Sequence, residues 1–136
     1  MRAWIWLRIT SIVVLVFALG HGFGHLHLDS SPPEAEGVFH AMKGAHFQVM
    51  GSNRTVWDFY SGFSVNAFIS AVLLGVLIWL LGNLARTEPK VVRPFVIIIL
   101  IAQLFYTLVC WTNFFAAPAI FNTLATLLLG AAALAL

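Results

Sequence analysis

Long apolar runs separated by short polar breaks set the pattern of this chain. Four stretches, at about residues 4–26, 57–84, 94–112 and 117–136, approach the roughly 20 residues that a helix needs to cross hydrocarbon. They are continuous and rich in Leu and Ala, without the alternation of a membrane-barrel strand, so each predicts a helix. Only Asn113, Phe114, Phe115 and Ala116 separate the last two, and Pro118 suits a helix's first turn, which predicts a tight antiparallel hairpin. The expected fold is an all-α integral membrane protein, a single domain over residues 1–136 built as an antiparallel four-helix transmembrane bundle.

The polar break at residues 27–53 has a pattern of its own. Asp29, Ser30, Ser31, Pro32 and Pro33 should end the first helix. From Glu34 to Met50, Val38, Met42, Ala45 and Val49 recur at helical spacing, which predicts a short amphipathic helix in the first outer loop. Gly51, Ser52 and Asn53 read as a turn, with Ser52 or Asn53 as the cap of the second span. The first apolar stretch also has the parts of a secretory signal: Met1-Arg2, an apolar centre from Ile9 to Leu19, and the small-residue sequence Ala18-Leu19-Gly20. The reading adopted is an intact first helix.

Composition narrows the class. The chain is 61% hydrophobic and 9% charged, against roughly 25% charged for a soluble domain, so too little polar sequence is left for a separate soluble module. A net charge of +2 without a basic run interleaved with aromatics sets nucleic acid aside. A lone cysteine, Cys110, excludes an intrachain disulfide or a CxxC pair and reads as a packing residue. Arg2, Arg8, Arg86, Lys90 and Arg93 flank one side of the spans, while the other loops hold only Lys43 and Arg54. By the positive-inside bias both termini face the cytoplasm and the loop at 27–53 faces outward, periplasmic if the membrane is a bacterial inner one.

The candidate chemistry lies on that outward side. All five histidines, His21, His25, His27, His40 and His46, fall within about 26 residues between the first two spans. His21 and His25 are four apart on a helix and so project within about 40° of each other. Gly20, Gly22 and Gly24 leave little bulk around them, for close helix packing or for a ligand. His27 should extend past the membrane edge, and His40 is favoured over His46 to face the bundle. In the second span Arg54, Asp58, Gly62 and Asn66 recur every four residues; the third carries Gln103, Tyr106, Cys110 and Asn113 within an arc of roughly 80°; the fourth adds Asn122, Thr123 and Thr126. Intramembrane polar groups turn inward, so four helices are expected to supply one pocket open to the outer leaflet. Asp58 either pairs with Arg54 at headgroup level or orients a histidine. Trp57, Tyr60, Trp111, Phe114 and Phe115 fit an outer aromatic belt, and Trp4 and Trp6 an inner one.

Three function classes follow. The first is a membrane enzyme, an isomerase, cyclase or hydrolase, acting on a lipophilic small molecule or lipid. There His21, His25, His40 and Asp58 would do acid-base work, and Arg54, Tyr60, Asn66, Gln103, Tyr106, Asn113 and Asn122 would bind substrate. The second is a redox protein with a divalent metal on His21, His25, His46 and Asp58. Haem fits less well, since the second to fourth spans have no histidine to oppose the first, and HExxH and CxxCH are absent. The third is a non-enzymatic lipid-binding or partner-stabilising subunit, with the apolar tail Leu127 to Leu136 as a contact for another chain, including a second copy. Met50 to Tyr60 is distinctive but names no family.

Overall fold

A computed structural model of the chain describes residues 2–27 and 32–136. Asp29, Ser30 and Ser31, expected to break the first helix, lie outside the described residues. The elements run α1 (Ala3–Leu26), α2 (Pro33–Gly44), β1 (His46–Val49), β2 (Ser52–Thr55), α3 (Val56–Leu84), α4 (Pro89–Asn113) and α5 (Ala116–Ala135). Helices α1, α3, α4 and α5, of 24, 29, 25 and 20 residues, are each long and apolar enough to span a membrane. The chain is therefore an integral membrane protein, all-α in its spans, with a short helix between the first and second.

The chain divides into two compact units. The first, Met1–Ala18 with Ala71–Leu136, holds the buried core. Leu7 and Val14 of α1, Ile78 and Leu81 of α3, Val92 and Val96 of α4, and Ala125, Leu129 and Ala132 of α5 pack together in one cluster. All four spans thus contribute to a bundle. Lipid tails are as apolar as these side chains, so close packing and interhelical hydrogen bonds must hold it. Both occur where α1 meets α3: a Cβ on Gly75 would lie 2.7 Å from Leu15 carbons, and that approach lets Ser11 Oγ donate to the Gly75 carbonyl at 2.6 Å. Between α4 and α5 a polar seam does the same work. Gln103 Nε2 donates to Asn122 Oδ1 at 2.6 Å, the Thr107 and Thr126 hydroxyls meet at 2.9 Å, and Trp111 Nε1 donates to Thr123 Oγ1 at 2.9 Å. Only Phe114 and Phe115 join the two helices, the tight hairpin expected.

The second unit, Leu19–Ser70, has no fully buried residue among those described. It contains the last turns of α1, the helix α2, a β-hairpin and the first half of α3. The hairpin corrects the expected helix to Met50. The helix stops at Gly44, and His46 to Val49 pair antiparallel with Ser52 to Thr55, Phe47 opposite Arg54 and Val49 opposite Ser52. Met50 and Gly51 form the two-residue turn with φ of 48° and 82°, the double positive φ of a type I′ hairpin. Alternation through Phe47 and Val49 outweighs helical spacing here because Phe47 stacks on Phe59 of α3, ring centroids 5.4 Å apart. Within α2 the inward face is Ala35, Phe39 and Met42, with Val38 57% exposed. Phe39 meets Trp57 edge-on at 5.6 Å, and Lys43 lies 4.8 Å from the same ring.

Two span boundaries also differ from expectation. Ser52 and Asn53 lie in β2 and do not cap α3; Thr55 does. Helix α4 begins at Pro89, five residues before Pro94: a proline at N1 loses no helical bond, and the helix continues through Pro94 without the one bond its missing N–H would have made.

Candidate functional site

The start of α3 is built by a capping box. Thr55 Oγ1 accepts the backbone N–H of Asp58 at 3.1 Å, and Asp58 Oδ2 accepts that of Thr55 at 2.8 Å, so two otherwise orphaned donors are satisfied reciprocally. The carboxylate expected to pair with Arg54 or orient a histidine is hydrogen-bonded to the Thr55 backbone, with Arg54 and His46 close enough to act on it electrostatically. Its face of α3 remains the stripe read from the sequence: Arg54, Asp58, Gly62 and Asn66, with Phe59 and Phe63, line a shallow open groove of about 370 Å³.

His21 and His25 enter a different environment within the same unit. Gly22 sits against α3 so closely that a Cβ there would lie 2.9 Å from the Phe68 ring. This contact carries the glycine reading of close packing at Gly22; around Gly20 and Gly24 nothing lies within 4 Å of such a carbon. One residue before Gly22, His21 Nε2 lies 3.0 Å from the Ser64 carbonyl and 3.2 Å from Ser64 Oγ. A carbonyl only accepts, so Nε2 carries the proton and donates. In that tautomer the nitrogen facing Ser64 cannot act as base toward its hydroxyl. His21 thereby ties α1 to α3.

His25 is placed for other work. With Gly22, Leu26, Ser64, Val65 and Phe68 it lines a cavity of about 140 Å³, partly open on one side. Its Nδ1 is buried and, among the described residues, without a hydrogen-bond partner. Leaving such a group unsatisfied costs about 1–3 kcal/mol. The walls around it are otherwise aliphatic and aromatic apart from Ser64.

The remaining expected residues have other partners or are exposed. His27 donates through Nδ1 to the Phe23 carbonyl at 2.8 Å and stacks on the Phe23 ring. His40 is exposed on α2, and His46 is exposed on β1, opposite Thr55. Tyr60 packs beside Trp57 at 5.6 Å and is 42% exposed. In the other unit, Asn122 Nδ2 donates to the Pro118 carbonyl at 2.8 Å and toward Cys110 Sγ at 3.4 Å while its oxygen receives Gln103, so both amides serve the α4–α5 seam. Asn113 bonds within its own helix to Val109 and Thr112, and Tyr106 is exposed. Among the described residues no three His, Cys, Asp or Glu side chains gather as a metal-binding group; His21, His25, His46 and Asp58 are not such a set.

Ser64 and Phe68, absent from the sequence reading, shape the histidine cavity. They lie four apart on a face of α3 roughly opposite the Asp58–Gly62–Asn66 stripe, and only helical spacing relative to an unknown contact face could have marked them. Thr55 was legible, since Thr-x-x-Asp before an apolar run is a capping-box signature. No family model, curated protein or solved structure matches the chain.

Proposed function

We propose that this protein binds a lipophilic molecule beside the end of α1 that carries His21 and His25, with His25 presenting a hydrogen-bonding, proton-exchanging nitrogen to the molecule's polar group. The observation that carries this reading is His25, which lines a cavity that is otherwise nearly all apolar and whose Nδ1 is buried with no hydrogen-bond partner among the described residues. A ligand hydroxyl, carbonyl or amine at that nitrogen would recover the missing bond. The volume of about 140 Å³ compares with the roughly 150 Å³ of an apolar cavity that takes up benzene. It fits one ring or a short branched chain, and a longer tail would lie in surrounding lipid. An imidazole nitrogen both donates and accepts a proton, so the same ring could move a proton on a bound molecule, the acid-base chemistry of a membrane isomerase. Binding is the primary reading because the Asp58 side chain bonds within the capping box and makes no hydrogen bond to His25 among the described residues.

The test is to purify the protein in mild detergent, extract it and identify retained molecules by mass spectrometry, for the natural chain and for His25→Ala and His25→Gln. The expected result is one lipophilic species near equimolar with protein, depleted at least about fivefold in His25→Ala, the loss of one buried hydrogen bond. Equal retention in all three proteins removes the proposal. Incubating the recovered molecule with fresh natural protein and with His25→Gln then separates binding from turnover.

A further inference from the structure

The unit that holds the core carries a second cluster, at the beginning of α1 and the end of α3. Trp4 and Arg8 stand one turn apart on α1; Trp79 and Asn83 stand one turn apart on α3, and Arg86 follows in the turn to α4. Antiparallel packing joins them. The Arg8 guanidinium lies 4.3 Å from the Trp79 ring centroid and 5.7 Å from that of Trp4, and the Arg86 guanidinium lies 4.5 Å from the Trp4 ring. Arg8 Nη2 donates to Asn83 Oδ1 at 2.6 Å.

Two cations share one indole, yet no carboxylate among the described residues forms an ion pair with either. Among the described residues Arg8 Nε is buried without a partner and Arg86 makes no side-chain hydrogen bond. Indole faces attract a guanidinium but accept few of its five N–H donors. The sequence around the cluster adds Arg2, Lys90 and Arg93 of the same sign and opposes them with Glu88 alone. An anion is the missing component. Guanidinium forks match phosphate oxygens in geometry and charge, and Trp at the ends of spans marks headgroup depth. Exposed Ile9, Leu80 and Leu84, on the same helix ends, offer contact to acyl chains.

We propose that Arg8 and Arg86 hold the phosphate of an anionic phospholipid in the leaflet beside the chain's termini, with Trp4 and Trp79 fixing the guanidiniums from behind. The whole chain, delipidated in neutral detergent, is titrated with phosphatidylglycerol, phosphatidylcholine or glycerol phosphate, and bound molecules are counted by native mass spectrometry. One phosphatidylglycerol is expected to bind saturably, roughly tenfold more tightly than phosphatidylcholine, in keeping with one charge-assisted contact. Arg8→Gln and Arg86→Gln should each weaken it about tenfold, and Arg93→Gln should leave it unchanged. Arg86 is exposed in a turn, so its replacement reports on binding even where Arg8→Gln disturbs folding. Glycerol phosphate binding as tightly as phosphatidylglycerol would support the phosphate site and move its source to solution. Equal retention of phosphatidylcholine, or an equal loss in Arg93→Gln, would overturn the proposal.

Discussion

His25 keeps Nδ1 away from water with no partner among the described residues, whereas His21, one turn earlier, spends its Nε2 proton on the Ser64 carbonyl. The two rings therefore respond differently to replacement. In delipidated protein, His25→Leu removes an unsatisfied buried group and should leave unfolding stability in detergent unchanged or raise it by about 1 kcal/mol. His21→Leu breaks an α1–α3 bond and should lower stability by about 1 kcal/mol. A loss at His25 as large as that at His21 would assign both rings to structure. Met50 poses a separate single-residue problem: its φ of 48° is a left-handed conformation that a long side chain adopts at a cost. Asn tolerates that region, and Asn-Gly is the favoured type I′ pair. Met50→Asn should therefore slow amide exchange across His46–Val49 and Ser52–Thr55 several-fold, corresponding to about 1 kcal/mol; unchanged exchange would show that the turn does not limit the hairpin.

Among the elements, α4 and α5 form the most fully satisfied pair. Each polar side chain on their seam has a partner across it or on its own helix, which lets Gln103 sit 3% exposed within a span. Interhelical bonds in membranes average about 0.6 kcal/mol and reach about 1.7 kcal/mol. A double-mutant cycle of Gln103→Leu and Asn122→Leu, followed by reversible unfolding in bicelles, should give a coupling in that range. Each single change should cost more than the coupling alone, because it strands the other amide. A coupling near zero would return these amides to the pool of ligand-binding groups. Much of this scale was legible in advance. The spans, the short α4–α5 link and the helix after Pro33 follow from hydropathy, chain length and proline chemistry. The hairpin was not, since Val38, Met42, Ala45 and Val49 satisfy helical spacing while Phe47, Val49 and the Met50-Gly51 turn satisfy the strand pattern. The stack of Phe47 on Phe59 decides between them.

For the molecule as a whole, charge is the only guide to orientation. Five basic residues flank the side of the termini and two the other. With Cys110→Ser as background, a cysteine at position 88 should be labelled by an impermeant maleimide only after cells are opened, and one at position 52 in intact cells whose outer barrier is permeabilised. The reverse pattern would invert the topology. The two units also differ in what they can do. The core unit buries side chains from all four spans, whereas Leu19–Ser70 has half-buried and exposed aromatics and both candidate ligand grooves. Binding surfaces are commonly drawn from such less densely packed parts of a fold.

By itself the sequence determined that this is a membrane protein with four helical spans. Hydropathy over about 20 residues is a local property, and in hydrocarbon each segment must satisfy its own backbone. It also placed His21 and His25 on one helical face and Asp58 on the face of Asn66, because helical spacing is equally local. What faces what belonged to tertiary structure alone. His21 and Ser64 are 43 residues apart and meet only because α1 and α3 pack through Gly22 and Phe68. Asp58 bonds to the Thr55 amide because that donor is a few ångströms away and preorganised at the start of α3. Periodicity says which residues share a side of a helix; only packing says which neighbour that side meets.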